Sequence, residues 1–262
     1  LLTTLFSYGQ VLPTHRGAHS SHGGLFQPTI SQAIRLLSAQ PFASSSNSSP
    51  ECSDPFTTGS MTYTTNGFDI FQSPSFYPSR RHSWIHIFPE GRVHQHPYKT
   101  LRYFKWGISR LILEAEPMPE VIPIFIDGNQ EVMPEDRGFP GFLPRYGKHI
   151  KIVFGEKVDG EQVFGELRER WKRLVQEQRE IKKDGTLPQW EMGELNDHLK
   201  FGTEAVEIRV EVTKRVRNEV LKVRRSLGYP DEDPKEGLVE TWIERDLNKR
   251  GTKDEGRCIS ST

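Results

Sequence analysis

The stretch that most constrains this chain is SWIHIFPEGRV, residues 83–93. Its large apolar side chains, from Trp84 to Phe88, predict a buried strand. Proline and glycine then end the strand at once and leave a carboxylate, Glu90, beside a guanidinium, Arg92. Because α/β folds place their sites at strand ends, this pattern predicts an α/β domain with a site at residues 88–92.

The neighbouring segments supply the other layers of such a fold. Helical spacing predicts amphipathic helices over 29–40 and 100–116, the second with Thr100 as its N-cap. The run VIPIFIDG, residues 121–128, predicts a buried strand, in which Pro123 indicates an edge, a bulge or the strand start. Alternating apolar residues in KHIKIVFGE, residues 148–156, predict another strand.

The C-terminal third has a helical pattern. Asp159 and Gln162 form a capping-box signature before one helix, and a second helix is predicted from about Thr203 to Leu227. The basic run KRVRNEVLKVRR within the second helix is compatible with a membrane-surface face, although a solvated helix face is the commoner meaning of such a run and is preferred here.

Composition limits the function classes. Residues 40–67 are rich in Ser, Thr, Pro and Gly, which predicts a disordered insertion. The chain has 35 Lys plus Arg and 35 Asp plus Glu, so no net field favours nucleic acid as a partner. No apolar run approaches the roughly 18 residues of a membrane span, and two cysteines are too few for a cysteine metal site.

Several residues are candidates for a site. At FPEGR, Gly91 allows close backbone approach to a ligand, Arg92 offers a planar fork of donors for phosphate, and Glu90 can hold an arginine or a hydroxyl. A plain turn is the alternative interpretation of this five-residue segment. Arg16, in GQVLPTHRG, also follows a predicted strand, although a single loop arginine is usually solvated.

Two histidine pairs are weaker candidates. His19 with His22, and His94 with His96, have metal-like spacing, but their neighbours are Ser, Gly, Gln and Pro, and no carboxylate is well placed. We interpret all four as solvated loop histidines and predict no metal site.

Four segments of the chain together resemble the tafazzin branch of the phospholipid/glycerol acyltransferase family, its fungal members above all. They are WIHIFPEGRV, LRYFKWGISRLILEA, VIPIFIDGNQEVMPE and GFPGFLPRYGKHIKIVFGE. The resemblance implies an α/β fold, a glycerolipid acyltransferase-like sheet flanked by helices, with a C-terminal helical extension. It divides the chain into a partial acyltransferase domain over 1–158, a helical extension over 159–228 and a polar tail over 229–262.

The resemblance also implies a function. Family members of this type are peripheral proteins of mitochondrial membranes that move an acyl chain between a phospholipid and a lysophospholipid, remodelling cardiolipin from monolysocardiolipin without coenzyme A or another cofactor. The substrate-binding residues implied are Arg16, Phe88, Pro89, Glu90, Gly91, Arg92 and Pro123, with Glu90 in a supporting role.

One departure from the family is plain. The family's catalytic motif is a histidine followed five residues later by an aspartate, and none of the nine histidines here has that spacing. The sequence begins with Leu1 and its first methionine is Met61, so we expect the dyad upstream of Leu1 and expect residues 1–262 alone to be inactive. The alternatives are an acyl-coenzyme-A-dependent lysophospholipid acyltransferase, a non-catalytic lipid-binding fragment, or a helical interaction module over 160–227.

Overall fold

The computed structural model describes residues 9, 11–17, 19–39, 62–72, 83–91, 95–134, 143–180 and 192–245. In chain order its elements are α1 (Pro28–Leu37), β1 (Thr62–Tyr63), β2 (Phe71–Gln72), α2 (Gly107–Glu114), β3 (Ile124–Asp127), α3 (Asn129–Val132), β4 (Lys151–Phe154), α4 (Gly160–Glu180), α5 (Asp197–Phe201), α6 (Thr203–Ser226) and a 3-10 turn (Pro234–Gly237). The fold is therefore mixed α/β.

The chain forms two compact units, each made of three segments that alternate along the sequence. Unit 1 contains residues 1–87, 106–120 and 160–212, and unit 2 contains residues 88–105, 121–159 and 213–262. Helix α6 contributes residues 203–212 to unit 1 and residues 213–226 to unit 2. Within the part of the chain described, no helix is both long enough and apolar enough to cross a bilayer.

Unit 1 is built on helix packing. Helix α2 packs against α1 and α4, and α4 packs against α5. The helices bury apolar faces whose best-shielded members are Ile34, Ile112, Phe164, Leu167, Leu199 and Ile208. Arg168 of α4 donates to the carbonyls of Ile112 and Ala115, the latter at 2.8 Å, so a buried guanidinium satisfies the C-terminal end of α2.

Unit 2 contains an antiparallel ribbon. Strands β3 and β4 pair with Ile124 opposite Phe154 and Asp127 opposite Lys151. Pro123 precedes β3 directly, so it lies at the strand start, where its missing N–H costs no ladder hydrogen bond. Gly128 follows β3 with φ +94°, and a Cβ there would lie 2.1 Å from the carbonyl oxygen of His149.

Most helices and both C-terminal strands lie where the sequence predicts them. Helix α1 falls within the predicted 29–40 segment apart from its first residue, α4 follows the capping signature, and α6 ends one residue before the predicted Leu227. Strands β3 and β4 confirm the two predicted strands in shortened form.

Three predictions need correction. The helix predicted over 100–116 begins only at Gly107, because the backbone groups of residues 101 and 102 bond to distant side chains. No strand is assigned to 84–88, and Trp84 is 97% exposed. The predicted insertion over 40–67 ends earlier than expected, since β1 lies at its C-terminal end; residues 40–61 are outside the described part of the chain.

The hairpin that joins β1 to β2 has a local cause. The Asp69 carboxylate accepts hydrogen bonds from the Thr64 hydroxyl at 2.9 Å and the Thr65 N–H at 2.6 Å, and the Asn66 side chain accepts from two further backbone N–H groups. Burial acts to raise the pKa of Asp69, but these hydrogen bonds outweigh it and hold that pKa at about 2.

Candidate functional site

The FPEGR turn, residues 88–92, reverses the chain at its glycine. The Gly91 N–H donates to the Phe88 carbonyl at 3.0 Å, and Gly91 has φ +69°, a conformation that favours glycine. The Pro89 carbonyl accepts from the Lys105 N–H at 2.8 Å, which fixes the turn to the segment before α2. Phe88 is 65% exposed, so it is not buried as predicted.

A lysine covers this glycine. A Cβ placed on Gly91 would lie 2.6 Å from Cε and 2.7 Å from Nζ of Lys105, so the absence of a side chain at residue 91 makes room for the ammonium arm. Lys105 is exposed, and its ammonium lies beside Gly91. Lys105 lies in the segment predicted as a helix over 100–116 and was not among the site residues predicted from the sequence.

Glu90 is turned inward. Its Oε2 accepts a hydrogen bond from the Arg102 N–H at 2.9 Å. Burial raises the pKa of Glu90, and the Arg102 N–H and the charges of Arg217 and Arg102 offset part of that rise. Glu90 therefore supports the turn from inside the protein instead of presenting a free carboxylate to solvent.

The dipeptide Leu101–Arg102 has all four backbone polar groups bonded to side chains. The Leu101 N–H donates to Glu232 at 2.6 Å, and the Arg102 N–H donates to Glu90. Arg217 donates to the Leu101 carbonyl at 2.8 Å and to the Arg102 carbonyl at 3.0 Å. This complete pairing replaces the helical hydrogen bonds that the sequence predicted for these residues.

A second arginine of α6 holds the residues just before this dipeptide. Arg224 donates to the carbonyls of Tyr98 at 2.8 Å and Lys99 at 2.9 Å. We call Arg217, Arg224 and Glu232 the clamp. The Arg217 to Glu232 ion pair is 2.6 Å long, and both side chains are buried. The prediction of a solvated basic face on α6 is therefore wrong for Arg217 and Arg224, which are 9% and 1% exposed.

Lys99 connects the clamped segment to β3. It has φ +54°, unusual for a residue other than glycine, and its ammonium bonds to the Asp127 carboxylate. The Tyr229 hydroxyl donates to the other oxygen of Asp127. Burial acts to raise the pKa of Asp127, but the hydrogen bonds from Lys99 and Tyr229 lower it below its usual range.

The remaining predicted residues fall in different places. Arg16 is exposed in unit 1, in a turn where its carbonyl accepts from the N–H groups of His19 and Ser20. Pro123 is buried in unit 2, and its carbonyl accepts from the Gly155 N–H at 2.8 Å. Arg92 lies outside the described residues. The sharing of one pocket by Arg16, Arg92 and Glu90 stays a prediction.

The fold also brings together a histidine and an aspartate that are far apart in sequence. Nε2 of His15 lies 2.7 Å from the Thr65 hydroxyl and 3.9 Å from Oδ2 of Asp69, and the Thr65 hydroxyl donates to the same Asp69 oxygen. His15 neighbours Arg16 in the PTHRG segment. The sequence search for a fixed spacing could not find this pair, because the hairpin of β1 and β2 supplies its carboxylate.

Comparison with known proteins gives several relatives. The chain is 32% identical to tafazzin of Saccharomyces cerevisiae over 249 residues, which cover 92% of this chain and 59% of that protein. It is 39% identical to a tafazzin of Dictyostelium discoideum over 85 residues, or 31% of this chain and 28% of that one. It is 36% identical to the N-acylphosphatidylethanolamine synthase of Arabidopsis thaliana over 109 residues, or 40% of this chain and 38% of that one.

The extent of these matches is uneven. This chain spans 59% of the length of the yeast relative and smaller shares of the Dictyostelium and Arabidopsis proteins. No protein-family model matches it.

Proposed function

Because this chain is a homologue of the tafazzins, we propose that it forms part of a phospholipid acyltransferase that moves an acyl chain from a phospholipid to a lysophospholipid. The observation that carries the proposal is the similarity to yeast tafazzin over 92% of the chain, an extent that necessarily includes the central FPEGR turn. In this proposal the ribbon of β3 and β4 belongs to an acyltransferase-like sheet.

The FPEGR turn would bind the phosphate of the lipid headgroup. Gly91 leaves room for the side chain of Lys105, whose ammonium provides a cation at the same point. Arg92 would add a bidentate fork, which matches phosphate geometry better than an ammonium does. Arg16 would contribute a further guanidinium, and Phe88 and Pro123 would line the path of the acyl chain.

Glu90 would act as a support. Its carboxylate is committed to the Arg102 N–H, so it is suited to fixing the turn rather than to taking a proton from the acceptor hydroxyl. Proton removal requires a base within hydrogen-bond reach of that hydroxyl. No histidine in the 262 residues has an aspartate five positions later, so we propose that these residues alone do not catalyse transfer.

The acceptor is the point on which the relatives differ. The tafazzin relatives favour a lysophospholipid hydroxyl, with monolysocardiolipin as the acceptor and cardiolipin as the product. The N-acylphosphatidylethanolamine synthase relative favours instead the amine of an ethanolamine headgroup. The longer match to yeast tafazzin leads us to propose the hydroxyl acceptor, without coenzyme A, at the surface of mitochondrial membranes.

Substitution of Arg92 tests the headgroup role in the protein as its gene encodes it. Arg92→Ala should lower kcat/KM about 10- to 150-fold, because a hydrogen bond to a charged group is worth about 1.5–3 kcal/mol. Arg92→Lys should recover part of this loss, and Lys105→Gln should also lower kcat/KM. Arg225→Ala, on the solvent side of α6, is the control and should retain full activity. Full activity of Arg92→Ala would mean that FPEGR is only a turn.

A further inference from the structure

We propose that Arg217 is a positioning residue for Glu90, so that the C-terminal helix sets the FPEGR turn without touching substrate. The inference rests on the proposed function of that turn in headgroup binding. Residue 217 lies in the segment that the sequence assigned to a separate helical extension. The contacts instead place it in unit 2 together with residues 88–105.

The geometry runs through one peptide group. Nη2 of Arg217 donates to the Leu101 carbonyl at 2.8 Å, and the N–H of that same peptide group, which belongs to Arg102, donates to Oε2 of Glu90 at 2.9 Å. Nη2 also donates to Glu232, and Nε of Arg217 donates to the Arg102 carbonyl at 3.0 Å. Arg217 is thereby fixed at two nitrogens, and a shift of its guanidinium moves the donor that holds Glu90.

The charges of nearby side chains also affect the ionisation of Glu90. Among the described residues, the charged groups that act on Glu90 include Arg102, Arg217 and Glu232. The two arginines favour the ionised form of Glu90, whereas Glu232 opposes it, and burial opposes it most. Loss of Arg217 would leave the half-buried Glu90 near a second carboxylate with one favourable charge fewer, so Glu90 would take up a proton at a higher pH than it does now.

The surroundings of Arg217 leave it little freedom. A Cβ at Gly237, the last residue of the 3-10 turn, would lie 3.3 Å from Nη1 of Arg217. Glu232 is 3% exposed, so the partner of Arg217 is itself removed from water. A lysine at residue 217 would keep the charge, but it lacks the rigid fork that spans two carbonyls and a carboxylate.

The test is the titration of the Glu90 carboxyl carbon by NMR in the 262-residue chain and its variants. Arg217→Gln should move the midpoint to higher pH, and Arg217→Lys should move it less. Glu232→Gln should move it to lower pH, because a like charge is removed while the amide oxygen can still accept from Leu101. Arg225→Gln, whose ion pair with Asp231 is exposed, should leave the midpoint unchanged.

These shifts decide the inference even if one variant folds poorly. A midpoint that stays fixed in Arg217→Gln refutes the positioning role. If that variant does not fold, a midpoint that fails to fall in Glu232→Gln refutes it instead. Opposite shifts in the two variants support it.

Activity provides a separate readout in the protein as its gene encodes it. Arg217→Gln should lose about tenfold or more in kcat/KM at neutral pH. The acidic limb of its pH profile should move to higher pH, with recovery as Glu90 ionises; an equal loss at every pH would contradict the proposal. Absence of transfer in the parent would overturn the proposed function, and the NMR titration would still decide the role of Arg217.

Discussion

Two arginines of α6 allow a matched test of what burial contributes to an ion pair. Arg217 pairs with Glu232 and Arg225 pairs with Asp231, each at 2.6 Å. The side chains of the first pair are 11% and 3% exposed, and those of the second are 53% and 78% exposed. Substitution of either arginine by methionine removes one charge of equal size from the same helix.

The expected costs differ several-fold. Arg217→Met removes the nearer ion-pair partner of the buried Glu232, leaving Arg224 at 3.5 Å, and deprives two backbone carbonyls of their donors. Breaking a buried pair in this way costs about 3–5 kcal/mol. Arg225→Met removes an exposed pair, which is worth about 0–1 kcal/mol. At about 2–4 °C per kcal/mol, Arg217→Met should lower Tm by about 6–20 °C.

Urea and thermal unfolding followed by circular dichroism would measure both variants against the parent at neutral pH. The buried-clamp interpretation requires a loss for Arg217→Met at least three times that for Arg225→Met. Equal losses, or a loss below about 1 kcal/mol for Arg217→Met, would mean that the clamp does not hold residues 98–102.

Two further predictions concern residues near the turn and the ribbon. The folded pKa of Glu90 is raised from its ordinary 4.5, so its contribution to stability is full below that value and is lost as pH rises through the folded pKa. The parent should therefore lose stability relative to Glu90→Gln as pH rises from about 4.5 towards 7; a relative gain for the parent would contradict this. Gly128→Ala and Gly147→Ala both place a side chain at positive φ, but only at Gly128 would the Cβ collide with backbone. Gly128→Ala should therefore lower the free energy of unfolding by about 1–3 kcal/mol more than Gly147→Ala does, and equal Tm losses would refute this.

Helical periodicity predicted a helix correctly where the backbone hydrogen bonds of that helix are internal to it. Helices α1, α4 and α6 follow from apolar spacing and end signals in the sequence, because their hydrogen bonds join residues four apart. Residues 101–106 have the same spacing but are not helical. The backbone groups of Leu101 and Arg102 bond instead to Glu90, Arg217 and Glu232, whose distance along the chain hides them from a local pattern.

In the candidate site, too, local sequence patterns predicted some features, whereas others depend on residues distant in the chain. Proline and glycine in the sequence predicted the turn at FPEGR, and a strand start was one of the possibilities predicted for Pro123. The inward direction of Glu90, the ammonium of Lys105 over Gly91, and the proximity of His15 to Asp69 depend on tertiary packing. A charged run such as that of α6 cannot reveal which arginines are buried, because the deciding carboxylate, Glu232, follows the helix.

The proposed transfer is tested by incubating the protein, as its gene encodes it, with phosphatidylcholine carrying a labelled acyl chain and with monolysocardiolipin. The proposed function requires labelled cardiolipin in the absence of coenzyme A, with no gain when coenzyme A is added, and no transfer by residues 1–262 alone. Transfer that requires acyl-coenzyme A, or label that appears only on the amine of phosphatidylethanolamine, would contradict it.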